Sequence, residues 1–101
     1  MGTDTARRTA FIAGLRDLAA FIEANPAIPV PTDPAIITYY PAQATDAALR
    51  AEVDRIATLF GTHVDRRVLP HGLYATARRF GPVHYEATAI LSNTTEPPHE
   101  L

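Results

Sequence analysis

The residues that could do chemistry in this 101-residue chain are its arginines, four histidines, eleven acids and scattered hydroxyls; cysteine and lysine are absent. His63-x-Asp65 and His84-x-Glu86 each set an imidazole and a carboxylate two residues apart, the spacing that puts both on one side of a strand. That is a donor set zinc accepts. A strand between the two pairs separates them by roughly 10 Å, too far for one ion, so no metal and no other cofactor is expected. Ser92, the threonines and His71 in a turn offer hydroxyl or imidazole groups, but nothing matches G-x-S-x-G, H-E-x-x-H, a phosphate-binding loop or a dinucleotide fingerprint. No residue is assigned a catalytic role.

All nine basic residues are arginine, and two doublets, Arg66-Arg67 and Arg78-Arg79, fall in the second half of the chain. Residues 62–91 carry four arginines against Asp65 and Glu86, a local charge of +2, whereas the first 61 carry five against seven acids, a charge of −2. A sheet face with arginine, tyrosine and histidine interleaved can bind single-stranded nucleic acid through stacking and phosphate contacts. Four arginines supply little affinity at physiological salt. The formal net charge of −2 argues against a strongly basic nucleic-acid binder.

The elements that must position these groups are readable from periodicity. A helix is predicted from about Asp4 to Ala24, capped by Thr3 or Asp4, with Phe11, Ile12, Leu15, Leu18, Ala19 and Ile22 forming a buried stripe widened by Phe21. Asn25-Pro26 ends it, with Asn25 suited to a left-handed cap. Residues 26–34, PAIPVPTDP, form a stiff extended connector. Ala35 to Tyr40, AIITYY, is a short strand between two prolines. A second helix runs from about Thr45 to Phe60, with Leu49, Val53, Ile56, Leu59 and Phe60 inward, an Arg50–Asp54 pair outward and Gly61 as its stop. His63 to Leu69 alternates like another strand. Residues 92–101 read as a disordered tail on a single domain over 1–91.

Leu73 to Leu91 folds back at Gly81-Pro82, which pairs Phe80 with Val83, Arg78 with Tyr85, Thr76 with Ala87 and Tyr74 with Ala89. That aromatic face suits a bed for helices. Arg78 falls on it, so either its head reaches past Tyr85 to the sheet edge or the turn is longer and the faces exchange. The opposite face carries Leu73, Ala75, Ala77, Thr88 and Ile90 around His84 and Glu86. The order α-β-α-β-β-β implies an α+β two-layer fold, a mostly antiparallel four-stranded sheet with both helices on one face.

The chain resembles a group of small uncharacterised actinobacterial proteins found in Streptomyces-like genomes, integrative elements and phages. FIAGLRDLAAFIEANPAIPVP, TDAALRAEVDRIATLFG and YATARRFGPVHYEATAI carry the likeness over residues 8–91, most specifically at NPAIPVP and ARRFGPVHY. The group has no assigned activity, so the resemblance implies a bacterial or phage accessory protein and transfers no functional residue. With no signal peptide and no run of roughly 20 apolar residues, a soluble cytoplasmic protein is expected. The expected function is a non-catalytic interaction module. Its interface is Leu73, Ala75, Ala77, Thr88 and Ile90, meeting a protein partner or a second copy. The alternative is nucleic-acid binding through Arg66, Arg67, Arg78 and Arg79.

Overall fold

A computed structural model of the chain describes residues 2–92. The expected tail falls almost wholly on residues 93–101, outside those described. The fold is α+β, and the chain divides into two compact units, residues 1–32 and 33–101.

The first unit is helix α1, Gly2–Ala24, and its connector. The expected left-handed cap at Asn25 is replaced by a side-chain cap, since no non-glycine residue has positive φ among the described residues. The Asn25 amide donates to the Phe21 carbonyl (2.8 Å), and Pro26 prevents continuation. The stripe expected to be buried is largely exposed: Phe11, Ile12, Leu15, Leu18 and Phe21 all keep more than a third of their surface accessible, while Ile22 is half-buried. One helix followed by a short connector, which begins with a turn closed by Ile28 N–H on the Asn25 carbonyl (2.9 Å), has little to cover such a stripe from within its own unit.

The second unit is built on a three-stranded mixed sheet, not the four-stranded antiparallel one expected. Strand β1, Ala35–Tyr39, runs parallel to β3, Val83–Ile90, and β2, Leu73–Phe80, runs antiparallel to it, in the order β1-β3-β2. Among the described residues no fourth strand forms. His63–Leu69 alternates correctly, but Asp65 accepts from the Arg67 backbone N–H (2.9 Å) and so starts a 3-10 helix over Arg66–His71. Pro70 lacks the donor a strand would need, and Gly72 closes the turn at φ 79°.

The hairpin pairs Phe80 with Val83, Arg78 with Tyr85, Thr76 with Ala87 and Tyr74 with Ala89. Gly81 takes φ 61°, as a two-residue hairpin turn requires, and the Pro82 carbonyl accepts from Ala35 N–H (2.9 Å), which fixes where β1 begins.

Helix α2, Asp46–Phe60, keeps the expected limits, but Leu59, expected inward, faces solvent at 71% exposure. Thr45 caps it by accepting from Ala48 N–H, and Gly61 at φ 73° ends it. The helix lies on the aromatic face of the hairpin, burying Leu49, Val53, Ile56 and Ala57 there with Ala87, Ala89 and Leu91. The expected Arg50–Asp54 pair gives way to two contacts with Tyr74. Its hydroxyl donates to Asp54 (2.7 Å), and the Arg50 guanidinium stands 5.1 Å from its ring centre. The helix-surface ion pair is Glu52–Arg55 instead (2.7 Å).

Thr76 is the buried polar centre of this unit, at 2% exposure. Its hydroxyl donates to the His63 carbonyl (3.0 Å), so the Thr62 hydroxyl, 2.6 Å away, supplies the proton of their mutual bond. Thr76→Val keeps the shape and strands both partners. It is expected to lower the unfolding free energy by about 1–3 kcal/mol in urea titrations, and a change within error of zero would show that the clamp is dispensable.

Candidate functional site

With α2 on one face of the sheet, attention falls on the other. Alternation places Ile36 and Thr38 of β1, His84, Glu86, Thr88 and Ile90 of β3, and Leu73, Ala75, Ala77 and Arg79 of β2 together there. The five interface residues read from the sequence therefore share a face. Leu73 sits opposite Ile90, and Ala75 opposite Thr88. Leu73, Ala75, Ala77 and Thr88 line a shallow groove of about 260 Å³, while Ile90 lies outside its lining and is exposed.

The groove is floored by Glu86, whose Cα neighbours are Ala77 on β2 and Thr38 on β1. Two short side chains flank Glu86, itself a half-buried residue. Among the described residues no hydrogen bond or ion pair engages it. Val68 of the 3-10 helix and Asp65 at its start form one wall, and Tyr40, one residue beyond β1, forms the other. Thr38, Tyr40 and Val68 were not among the sequence candidates. The parity of AIITYY contained the first two, but only the β1–β3 pairing brings them beside Glu86.

Asp65 is already engaged. The Arg67 guanidinium donates to it (3.0 and 3.1 Å). That hydrogen bond, with the Arg67 backbone N–H, holds the carboxyl below its ordinary range, and Arg79 adds a smaller pull in the same direction. Glu86 is thus the groove's carboxylate without a counter-ion. Across the sheet, the Asp54 hydrogen bond and then burial push the Tyr74 phenol upward, which keeps it protonated as a donor.

The four arginines of the alternative do not converge. Arg78 lies on the α2 face, where its Nη1 donates to the Phe60 carbonyl at the helix C-terminus (2.7 Å) and its guanidinium stands 5.5 Å from the Phe80 ring centre. The turn is two residues long and the hairpin faces do not exchange; Arg78 ends on the helix, where a cation meets the negative end of the dipole. Arg67 is held by Asp65, Arg66 begins the 3-10 helix, and Arg79 alone of the four stands on the outer sheet face. Of the two His-x-acid pairs, only the acids Asp65 and Glu86 line the groove; His63 and His84 lie outside its lining. Among the described residues no three histidine or acidic side chains gather as metal ligands.

No family model matches the chain, and neither a curated protein nor a solved structure is similar to it. No described helix is long and apolar enough to cross a membrane.

Asp65 gives the site a titration test. Its depressed pKa means that its contribution to stability is present above the unfolded-state value and is lost as pH falls through the lower folded one. Carboxyl-detected NMR is expected to place its midpoint below that of an ordinary aspartate, and Arg67→Gln to move it upward. An unmoved midpoint in the variant would remove Arg67 as the cause.

Proposed function

We propose that this chain is a cytoplasmic accessory protein of a bacterium or phage, a non-catalytic module that takes a segment of a protein partner on the outer face of its sheet. The observation that carries this reading is half-buried Glu86, its carboxylate without a counter-ion among the described residues, in a groove lined otherwise by small, apolar and hydroxyl side chains and by Asp65, which Arg67 already engages. Leaving a carboxylate unpaired in a partly desolvated place costs free energy, and a cationic side chain brought by a partner offsets that cost. Leu73, Val68 and Tyr40 then supply apolar contact on either side of it. The partner segment this chemistry selects has one lysine or arginine flanked by apolar residues. The resemblance to accessory proteins of mobile elements supports the setting, and the dispersal of the four arginines weighs against the nucleic-acid alternative.

Selection from a displayed library of random heptapeptides tests the proposal. Enriched sequences are expected to share a basic residue between apolar ones. Binding of a synthetic representative is expected to fall at least about tenfold in Glu86→Gln and in Ala77→Glu, each keeping the parent circular dichroism. Failure to enrich any such motif, or binders indifferent to both substitutions, would refute it. Unfolding of Ala77→Glu leaves the decision with Glu86→Gln, which changes charge without volume.

A further inference from the structure

The sheet has two edges, and they are treated differently. At β2 the Ala75 carbonyl accepts from Asp65 N–H (2.7 Å), so the segment leading into the 3-10 helix covers that edge. At β1 the only strand partner among the described residues is β3. Ala35 N–H points to β3, where it meets Pro82, so by alternation Ile37 and Tyr39 also turn their backbone groups inward. Ile36, Thr38 and Tyr40 turn theirs toward the open edge.

Natural edges are guarded by charge, by bulges or by proline within the strand. This one has none of these inside it: residues 34–45, PAIITYYPAQAT, contain no charged side chain, and the prolines stand only at the ends of the strand. Both faces of the edge are apolar and accessible, with Ile36 at 53% and Tyr40 at 62% exposure and Tyr39 on the opposite face at 40%.

We propose that the β1 edge pairs antiparallel with β1 of a second copy, joining two sheets across a two-fold axis at Ile37. The pattern of the strand is self-complementary in that register. Ile36 and Thr38, both turned outward, fall opposite each other and exchange N–H and C=O bonds, and the two-fold repeats the exchange. Tyr40 N–H reaches the Pro34 carbonyl of the second copy, which asks no donor of the proline. Small Ala35 meets large Tyr39, Ile37 meets itself, and no charge faces a like charge. The prolines on each side then set the length of the joint. Two tyrosines and an isoleucine per copy, each about half exposed, remove at most roughly 700 Å² in total from water, below the roughly 1,200 Å² of stable specific interfaces and in the range of weak, transient pairing. A weak dimer, with Kd on the order of micromolar, is the expected result.

Light scattering on the full chain across this range tests the proposal. The mass is expected to rise with concentration from 11.0 kDa to twice that, while the Ile36 and Thr38 amides become at least about tenfold slower to exchange hydrogen. Thr38→Pro removes an outward donor without touching the β3 ladder, and Ile36→Lys adds the missing guard; each is expected to keep the single-copy mass throughout. Ala77→Glu, on the sheet face, is expected to dimerise as the parent does. A parent of single-copy mass at every concentration would overturn the proposal. So would a dimer that survives both edge substitutions, or one that Ala77→Glu abolishes. If Thr38→Pro unfolds, Ile36→Lys decides, and the amide exchange of the parent decides independently of both. Peptide binding at Glu86 is a separate measurement, so the failure of either reading leaves the other standing.

Discussion

The second unit depends on one buried hydroxyl. Thr76 sits in the middle of β2 at the sheet face that meets α2, and it is held from the far side of the helix C-terminus by Thr62 and His63. Those two residues are where the chain leaves α2, so the bond sets the height at which the exit segment crosses the sheet. From there Asp65 N–H reaches Ala75, and the 3-10 helix runs down to Gly72, whose carbonyl accepts from Leu91 N–H (2.8 Å). A buried hydroxyl without partners would cost what a lost hydrogen bond costs, so the chain must route itself past Thr76. Among the described residues that routing carries the chain straight into the 3-10 helix that Asp65 caps, where no fourth strand forms.

The apolar contribution around this clamp is modest, which raises the weight of the polar contacts. Ala57, Ala87 and Ala89 bring helix and sheet close together, and Leu49, Val53, Ile56 and Leu91 fill the gap. Alanine buries little area per residue, and each apolar square ångström is worth only about 25 cal/mol. The helix is therefore also fastened at both ends. At its start the Asp46 carboxylate accepts from the Ser92 backbone and hydroxyl (2.9 and 3.0 Å), and at its end Arg78 binds the Phe60 carbonyl. Tyr74 holds its middle through Asp54 and Arg50.

What could be read from the sequence divides along the range of the interactions. The register of the hairpin, the limits of α2 and the inward face of β2 rest on neighbours within a few residues, and a turn of Gly81-Pro82 specifies them locally. The pairing of β1 with β3 closes a loop of more than forty residues, and no local pattern reports it. The error at His63–Leu69 has a different origin. Alternation favoured a strand there, but Asp65, Pro70 and Gly72 are capping and breaking residues, and three local signals outweighed a period-two pattern only seven residues long. The candidate site splits the same way. Leu73, Ala75, Ala77, Thr88 and Glu86 were placed on one face from the hairpin alone, whereas Thr38, Tyr40 and Val68 join them only through long-range contacts. The stripe of α1 shows the limit of periodicity itself: spacing reports that a helix has an apolar side, not that anything in its own unit covers it.

The two proposed surfaces are not independent, because Thr38 and Tyr40 belong to both. Each turns its side chain toward the groove and its backbone toward the open edge, a consequence of the strand geometry rather than of any special residue. A second copy bound at that edge would stiffen the wall of the groove that is otherwise an unsupported strand end. Whatever free energy the groove gains from a fixed Tyr40, the edge must gain equally from a filled groove, since coupling between two binding events is reciprocal. If both surfaces are used, self-association and partner binding are coupled through Thr38 and Tyr40, and the shortness of β1 between its two prolines confines both to the same few residues.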